Sequence, residues 1–237
     1  MTAAPREGDV AGAPPQPRGG HTTFGRWLYS VLWLLSRTLG VSMFGARTRF
    51  AEPLPPTGGL LVLSTHQSHL DPLLLGMATD RRLSSLARSS LYTFKPFGFM
   101  ITALDAVPID RNTSAVKAMK LVIERLKRGA AVIVFPEGTR TSDGRVGELK
   151  AGFALLAKRA EVPIVPVAIV GAFECWPRHR LFPRPGRVRL EFGKVITAAE
   201  VAAMDEKTLT AECERRIREL DATARAVRAG SLTPGGS

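Results

Sequence analysis

Leu60-Leu61-Val62-Leu63-Ser64-Thr65-His66-Gln67-Ser68-His69-Leu70-Asp71-Pro72-Leu73-Leu74-Leu75 is the stretch on which the fold turns. An apolar run of strand length breaks into a polar loop, and the chain re-enters the core as an apolar helix. Strand, polar loop and helix form the unit from which α/β domains are built, and the loop is where such domains present chemistry. His66 and Asp71 are separated by four residues, a spacing that lets the carboxylate fold back onto the imidazole. Paired in that way, an Asp fixes the tautomer of the His and stabilises the imidazolium formed when it takes a proton. By itself the spacing is weak, because an Asp capping a helix beside a solvated His is the commoner explanation. Ser68 and Asp71 are both candidate N-caps of the helix. Because Pro72 biases Asp71 away from helical geometry, Asp71 at N-cap with Pro72 at N1 is the more economical assignment.

Working outward, the same unit recurs. Residues 83–88 read as a second strand, and Val107-Pro108-Ile109 leads into a second polar loop, Asp110-Arg111-Asn112. The helix that follows is the best defined in the chain. Val116, Met119, Ile123 and Leu126 fall at three- and four-residue spacing, Thr113 or Ser114 caps it, and Gly129 ends it. Ala131-Val132-Ile133-Val134-Phe135 is a buried strand, and Pro136-Glu137-Gly138-Thr139-Arg140 is the third polar loop. A glycine-bearing turn with a hydroxyl, an Arg and free main-chain N–H groups suits a phosphate, and equally a plain turn with a solvated Arg. Leu149, Phe153, Leu156 and Ala157 mark another amphipathic helix. Val162 to Val170 is a long apolar strand holding Pro163 and Pro166, which predicts an edge position or a bulge. Phe173 to Pro185 reads as loop, Arg187 to Val195 as the last strand, and Ala198 to Ala229 as a charged amphipathic helical tail.

The chain has 237 residues and 45% apolar content, enough for one α/β domain with appendages. A net charge of +12 calls for an anionic partner: a nucleic acid, an anionic membrane surface or a phosphorylated substrate. Cys175 and Cys213 have neither a pairing pattern nor metal-ligand spacing, which favours a reducing compartment and argues against a zinc site. Residues 1–20, rich in Ala, Gly and Pro, read as a disordered tail. Phe24 to Phe44 is rich in Trp and Leu but carries Arg37 inside it and Arg26 at its start. A spanning helix wants about 20 largely apolar residues without charge. An interfacial helix fits better, with Trp27, Trp33 and the leucines in the headgroup boundary and Arg26, Arg37, Arg47 and Arg49 on anionic lipid. The expected organisation is therefore a tail over 1–20, a membrane-docking helical segment over 21–55, a domain over 56–200 and a C-terminal helix and tail over 201–237.

In a parallel sheet the strand C-termini share one edge, so the three polar loops converge. The converged set is a base with its orienting acid, two arginines and a glutamate. No Gly-x-Ser-x-Gly elbow supplies a serine nucleophile. A base without a protein nucleophile points to direct transfer onto a substrate hydroxyl. The residues now match a known pattern. The chain resembles the lysophospholipid acyltransferases of the 1-acyl-glycerol-3-phosphate acyltransferase type. The family's Asn-His-x4-Asp motif is met at His66 to Asp71, with Thr65 in place of the Asn. Its Phe-Ile-Asp-Arg motif is met at Pro108 to Arg111, with Pro108 in place of the Phe. Phe-Pro-Glu-Gly-Thr-Arg is complete at Phe135 to Arg140, and the apolar run around proline is Val162 to Val167. All four occur in family order over residues 59–170.

The resemblance implies a mixed, mostly parallel sheet flanked by helices, with an N-terminal interfacial segment. It implies that His66, oriented by Asp71, deprotonates the acceptor hydroxyl, which attacks an acyl thioester of coenzyme A or acyl carrier protein. It gives Arg111, Glu137, Gly138, Thr139 and Arg140 to the acceptor's glycerol phosphate, and it implies no metal or other cofactor. The implied partners are membrane lipids, the acyl donor and a lysophospholipid acceptor rather than a nucleic acid. The implied location is a membrane, with the active site facing the cytoplasm. Three alternatives stay open: another lysolipid acceptor such as a lyso-ornithine lipid, a thioesterase using water, and a non-catalytic basic membrane- or nucleic-acid-binding module.

Overall fold

The computed structural model describes residue 38 and residues 42–88, 106–109 and 115–230, and in these the apolar runs become strands. The strands are β1 (Arg47–Phe50), β2 (Leu60–Ser64), β3 (Leu83–Arg88), β4 (Ala106–Ile109), β5 (Ala131–Val134), β6 (Ile164–Val170) and β7 (Arg189–Phe192). The helices are α1 (Asp71–Ala78), α2 (Ala115–Lys127), α3 (Gly152–Ala160), α4 (Ala172–Cys175), α5 (Ala198–Ala203) and α6 (Glu206–Arg228). One seven-stranded sheet results, ordered β1-β7-β6-β2-β5-β3-β4. From β6 to β4 every pairing is parallel, whereas β7 runs antiparallel to β6 and carries β1 alongside it. The sheet is thus mixed and mostly parallel, as the motif pattern implies.

Alternation along β2 divides the core into two layers. Leu60 and Val62 point to one face, with Leu74, Leu75 and Met77 of α1 and Val165, Val167 and Ile169 of β6. Leu61 and Leu63 point to the other, with Val122 and Leu126 of α2, Phe153 and Ala157 of α3, and Leu209, Cys213 and Ile217 of α6. All five residues of β2 are buried. Its leucines and valine have almost no exposed surface, and each such side chain contributes about 1.5–3 kcal/mol relative to an exposed one. A strand with both faces covered becomes a rigid mount for the loop at its end.

One expectation is narrowed and three need correction. β6 lies inside the sheet, between β2 and β7, rather than at an edge. Pro166 within it is accommodated because the antiparallel register with the returning chain slips there, and Pro163 precedes the strand. The stretch from Ile164 to Val167 is opposed by the stretch from Phe192 to Ile196, one residue longer, so a bulge sits there. The Pro166 carbonyl still accepts from the Gly193 N–H at 2.8 Å. Arg47–Phe50, assigned with the docking helix, is instead the edge strand β1. Phe50 stacks on Phe192 at 4.4 Å and Arg49 lies 4.0 Å from Glu191, so Arg49 is not a free lipid contact. Ala172–Cys175 is a short helix where loop was expected from Phe173. The single helical tail is two helices. Thr197 and Glu200 form a capping box on α5, and Asp205 caps α6 by accepting from the Thr208 N–H at 2.7 Å. Residues 1–37, residues 89–105 and the Asp110-Arg111-Asn112 loop lie outside the described residues.

The chain's last helices fix a sense of up and down. Ile196 bridges to Ile164 at the start of β6, so α5 lies at the sheet edge where the parallel strands begin. α6 runs back toward the edge where they end. There the Arg225 guanidinium donates to the Gly144 carbonyl, and Arg228 pairs with Glu174 at 2.7 Å.

Candidate active site

The loops after β2, β5 and β6 leave adjacent strands at the same edge, with β2 in the middle. His66 sits two residues beyond β2. Its main chain is held from both sides: the N–H donates to Glu137 Oε1 at 2.8 Å, and the carbonyl accepts from the Thr141 N–H at 2.8 Å. Its ring stacks on Phe135 with centroids 3.9 Å apart and planes 14° from parallel. These contacts leave the imidazole little rotational freedom before any side-chain hydrogen bond is counted.

Asp71 supplies that bond. Its Oδ2 lies 2.8 Å from His66 Nδ1 and also accepts from the main-chain N–H groups of Gln67 at 2.6 Å and Ser68 at 2.7 Å. A carboxylate oxygen only accepts, so Nδ1 carries the proton and Nε2 keeps its lone pair. The carboxylate is fully buried, while the His66 side chain retains 20% exposure. Only the base therefore meets solvent or substrate. Asp71 is not the helix cap expected of it: the N-cap of α1 is Leu70, with no side-chain cap, and Pro72 sits in the first turn. The carboxylate reaches backwards to the loop and leaves the helix N–H groups alone.

The neighbouring loops lock this arrangement. Glu137 is buried and its second oxygen accepts from the Gly147 N–H at 2.9 Å, so both oxygens are taken by main chain. Burial pushes its carboxyl above the ordinary range, against the opposing pull of the two N–H groups. Gln67 donates to the Gly144 carbonyl at 2.9 Å and accepts from the Phe173 N–H at 3.4 Å, tying the three loops together. Thr65 Oγ1 accepts from the Ile169 N–H at 2.9 Å and so joins the end of β2 to β6. Ser68 Oγ donates to the Trp176 carbonyl at 2.7 Å, and the His69 ring lies 5.3 Å from Trp176. Burial first, then the nearby charges of Arg140 and His66, hold the His69 imidazole below its ordinary pKa. The charge of Arg140 thus bears on His69, and its neighbour Thr141 is bonded to the His66 main chain. Gly138, at φ 72°, and Thr139 are exposed on the adjoining turn.

A family model for acyltransferases matches residues 46–170, the span that holds every one of these contacts up to β6. The chain belongs to the acyltransferase family. The 1-acyl-sn-glycerol-3-phosphate acyltransferase of Bacillus subtilis is 29% identical over 182 residues, covering 75% of this chain and 88% of that one. The chloroplast 1-acyl-sn-glycerol-3-phosphate acyltransferase BAT2 of Brassica napus is 32% identical over 117 residues, and this chain spans 34% of its length. The crystal structure of the 1-acyl-sn-glycerophosphate acyltransferase PlsC from Thermotoga maritima superposes with a TM-score of 0.74 at 25% identity, covering 85% of this chain and 81% of that one.

Of the residues singled out in the sequence, this acyltransferase brings His66, Asp71, Glu137 and Arg140 together, with Gly138 and Thr139 on the adjoining turn. Arg111 lies outside the described residues. Both oxygens of Glu137 accept main-chain N–H groups, one from His66 and one from Gly147. Gln67, Phe135 and Gly147 shape the site without having been singled out. Of these only Phe135 carried a signal, as the first letter of the third motif. Among the described residues no helix is long and apolar enough to cross a membrane.

Proposed function

We propose that this acyltransferase moves a fatty acyl group from an acyl thioester, of coenzyme A or acyl carrier protein, to the free hydroxyl of 1-acyl-glycerol-3-phosphate, giving phosphatidate. The observation that carries the reading is the His66–Asp71 pair, with Nδ1 committed to a buried carboxylate and Nε2 open. Nε2 takes the proton of the acceptor hydroxyl as its oxygen attacks the thioester carbonyl. Asp71 stabilises the imidazolium that forms. The tetrahedral intermediate collapses, the carbon–sulfur bond breaks, and His66 returns its proton to the leaving thiolate. Arg140, with Thr139 and Gly138 on its turn, binds the acceptor phosphate, and Arg111 adds a second cation; proximity does the rest. Glu137 acts as a positioning residue, holding the His66 main chain.

The same reading has the protein peripheral to a membrane, its active site facing the cytoplasm and its Trp-rich N-terminal segment lying in the interface. The support is the +12 charge, that segment's composition and the relatives' lipid substrates. The test is to incubate the full chain with labelled acyl-CoA and a panel of lysolipids. Lysophosphatidate should be the preferred acceptor, His66→Ala should abolish transfer, and Arg140→Ala should mainly raise the acceptor KM. Hydrolysis without an acceptor, or an acceptor KM indifferent to Arg140, would overturn the assignment.

A further inference from the structure

The edge that carries His66 has another feature, which the reaction leaves unused. Between β6 and β7 runs Trp176-Pro177-Arg178-His179-Arg180-Leu181-Phe182-Pro183-Arg184-Pro185-Gly186-Arg187. Leu181 and Phe182 are 85% and 77% exposed, the two most exposed large apolar side chains among the described residues. A single exposed leucine calls for no explanation. An adjacent pair at a loop tip with Arg178, Arg180, Arg184 and Arg187 around it does, and no acidic residue interrupts the sequence between Glu174 and Glu191.

The loop has a fixed shape. The Arg184 N–H donates to the Cys175 carbonyl at 2.9 Å and its Nε to the Glu174 carbonyl at 2.6 Å, closing the base. Within it, the Arg180 N–H donates to the Pro177 carbonyl at 3.1 Å and Trp176 Nε1 to the Arg180 carbonyl at 2.9 Å. Pro177, Pro183 and Pro185 remove further freedom. The apolar tip is thus held away from the core by local bonds. Arg187, at the base, lines with Arg225 and Arg228 a hollow of about 480 Å³.

Its position is as informative as its composition. The base is fastened to the last residues before β1: the Gly186 N–H donates to the Met43 carbonyl at 3.3 Å, and the Val188 N–H to the Phe44 carbonyl at 2.9 Å. The loop therefore lies where the Trp-rich N-terminal segment joins the domain. On its other side Trp176 touches His69 and accepts from Ser68, within the catalytic loop itself.

We infer that this loop is a second membrane contact, Leu181 and Phe182 entering the headgroup boundary of an anionic bilayer while Arg178, Arg180, Arg184 and Arg187 engage lipid phosphates. Apolar tip and cationic collar match the two layers of such an interface, hydrocarbon below and phosphate above. An acidic protein would satisfy the arginines but gives no reason for the exposed pair. The inference deepens the peripheral association proposed above, and with the loop seated a lysolipid has only to slide sideways to reach His66.

The test uses the full chain with an environment-sensitive fluorophore on Phe182→Cys. Ala203→Cys, exposed at the end of α5 on the opposite sheet edge, is the control. Cys175 and Cys213 are buried and do not compete for the label. With vesicles of phosphatidylcholine containing phosphatidylglycerol, the label at 182 should shift to the blue and be quenched by nitroxides on the acyl chains, while that at 203 should not respond. Replacing Leu181 and Phe182 together by Ser should weaken co-sedimentation with these vesicles about tenfold, with unchanged thermal melting. If the protein sediments but the label at 182 is not quenched, the loop is not a membrane contact, though peripheral association stands. If the protein does not sediment at all, both readings fall. A label that answers to acyl carrier protein and not to vesicles makes the loop a protein-docking surface and overturns the inference.

Discussion

Replacing Asp71 by Asn tests the electrostatics of the dyad with its geometry kept. Asp71 Oδ2 collects three donors: His66 Nδ1, Gln67 N–H and Ser68 N–H, all within 2.8 Å. An Asn oxygen can take the same place. Turning the amide round would aim its NH2 at two main-chain N–H groups, so the oxygen stays on His66 and the tautomer is preserved. What disappears is the negative charge facing the imidazolium. Two unit charges about 4 Å apart attract by about 4 kcal/mol at an effective dielectric of 20, and the amide dipole recovers part of that. The net loss of about 3–4 kcal/mol corresponds to about 10²–10³-fold in kcat. The fold loses the charge assistance of three hydrogen bonds and gains an amide NH2 where the buried Asp71 Oδ1 has no partner among the described residues. It also sheds one buried charge, so the melting temperature should fall by about 5–10 °C. Thiol release from acyl-CoA in the presence of lysophosphatidate vesicles reads kcat, and calorimetry reads the fold. Retention of more than a tenth of wild-type kcat would refute the electrostatic role. A loss beyond about 10⁴-fold with an intact fold would show that the amide had turned, against the argument from the two N–H donors.

Three further variants probe the frame around the dyad. Thr65→Val leaves the buried Ile169 N–H without its acceptor and should cost about 1–3 kcal/mol in urea denaturation; an unchanged midpoint would remove Thr65 as the β2–β6 tie. Glu137 has its carboxyl pushed up by burial, so the folded chain holds that proton more tightly than the unfolded one. The corresponding stability is complete below the unfolded value of about 4.3 and is lost as pH rises through the raised one. The stability of wild type relative to Glu137→Gln should therefore fall with rising pH across that window. The variant's kcat should also drop, because one amide oxygen cannot serve both His66 and Gly147; a pH-independent difference in stability would contradict this. Gly171, at φ 94°, would bring an added Cβ to 2.1 Å from the Arg187 carbonyl, a main-chain atom that cannot step aside. Gly171→Ala should cost about 3 kcal/mol or more and lower the melting temperature accordingly; a shift under about 2 °C would refute it.

The legible parts of this molecule are those where one residue type answers to one environment. Leu60–Ser64 and Ala131–Val134 are buried on both faces and read as strands without ambiguity. His66 and Asp71 were legible as a pair because their motif neighbours limited the alternatives. β1 was not, since all four of its residues are exposed and Arg47-Thr48-Arg49-Phe50 shows no alternation against a core. Pro166 allowed an edge or a bulge, and the bulge is what forms, because proline reports a missing donor and not which strand lies beyond it. The capping signals Thr197-x-x-Glu200 and Asp205 were in the sequence and divide the C-terminal helices as observed. For Glu137 the sequence shows only a carboxylate in a phosphate-suited loop, and tertiary structure adds that its two oxygens accept the main-chain N–H groups of His66 and Gly147.

α6 has a practical consequence for anyone handling this enzyme. Because Arg225 and Arg228 anchor its last turns to Gly144 and Glu174, the helix ends at the face proposed to meet lipid. A purification tag fused beyond α6 would sit between the catalyst and its substrate reservoir, and would compete for the surface that it was meant to help isolate. A tag or fluorescent insert at the turn between α5 and α6, around Met204, would ride on the far edge. Of the two placements, that is the one to choose for assays on vesicles.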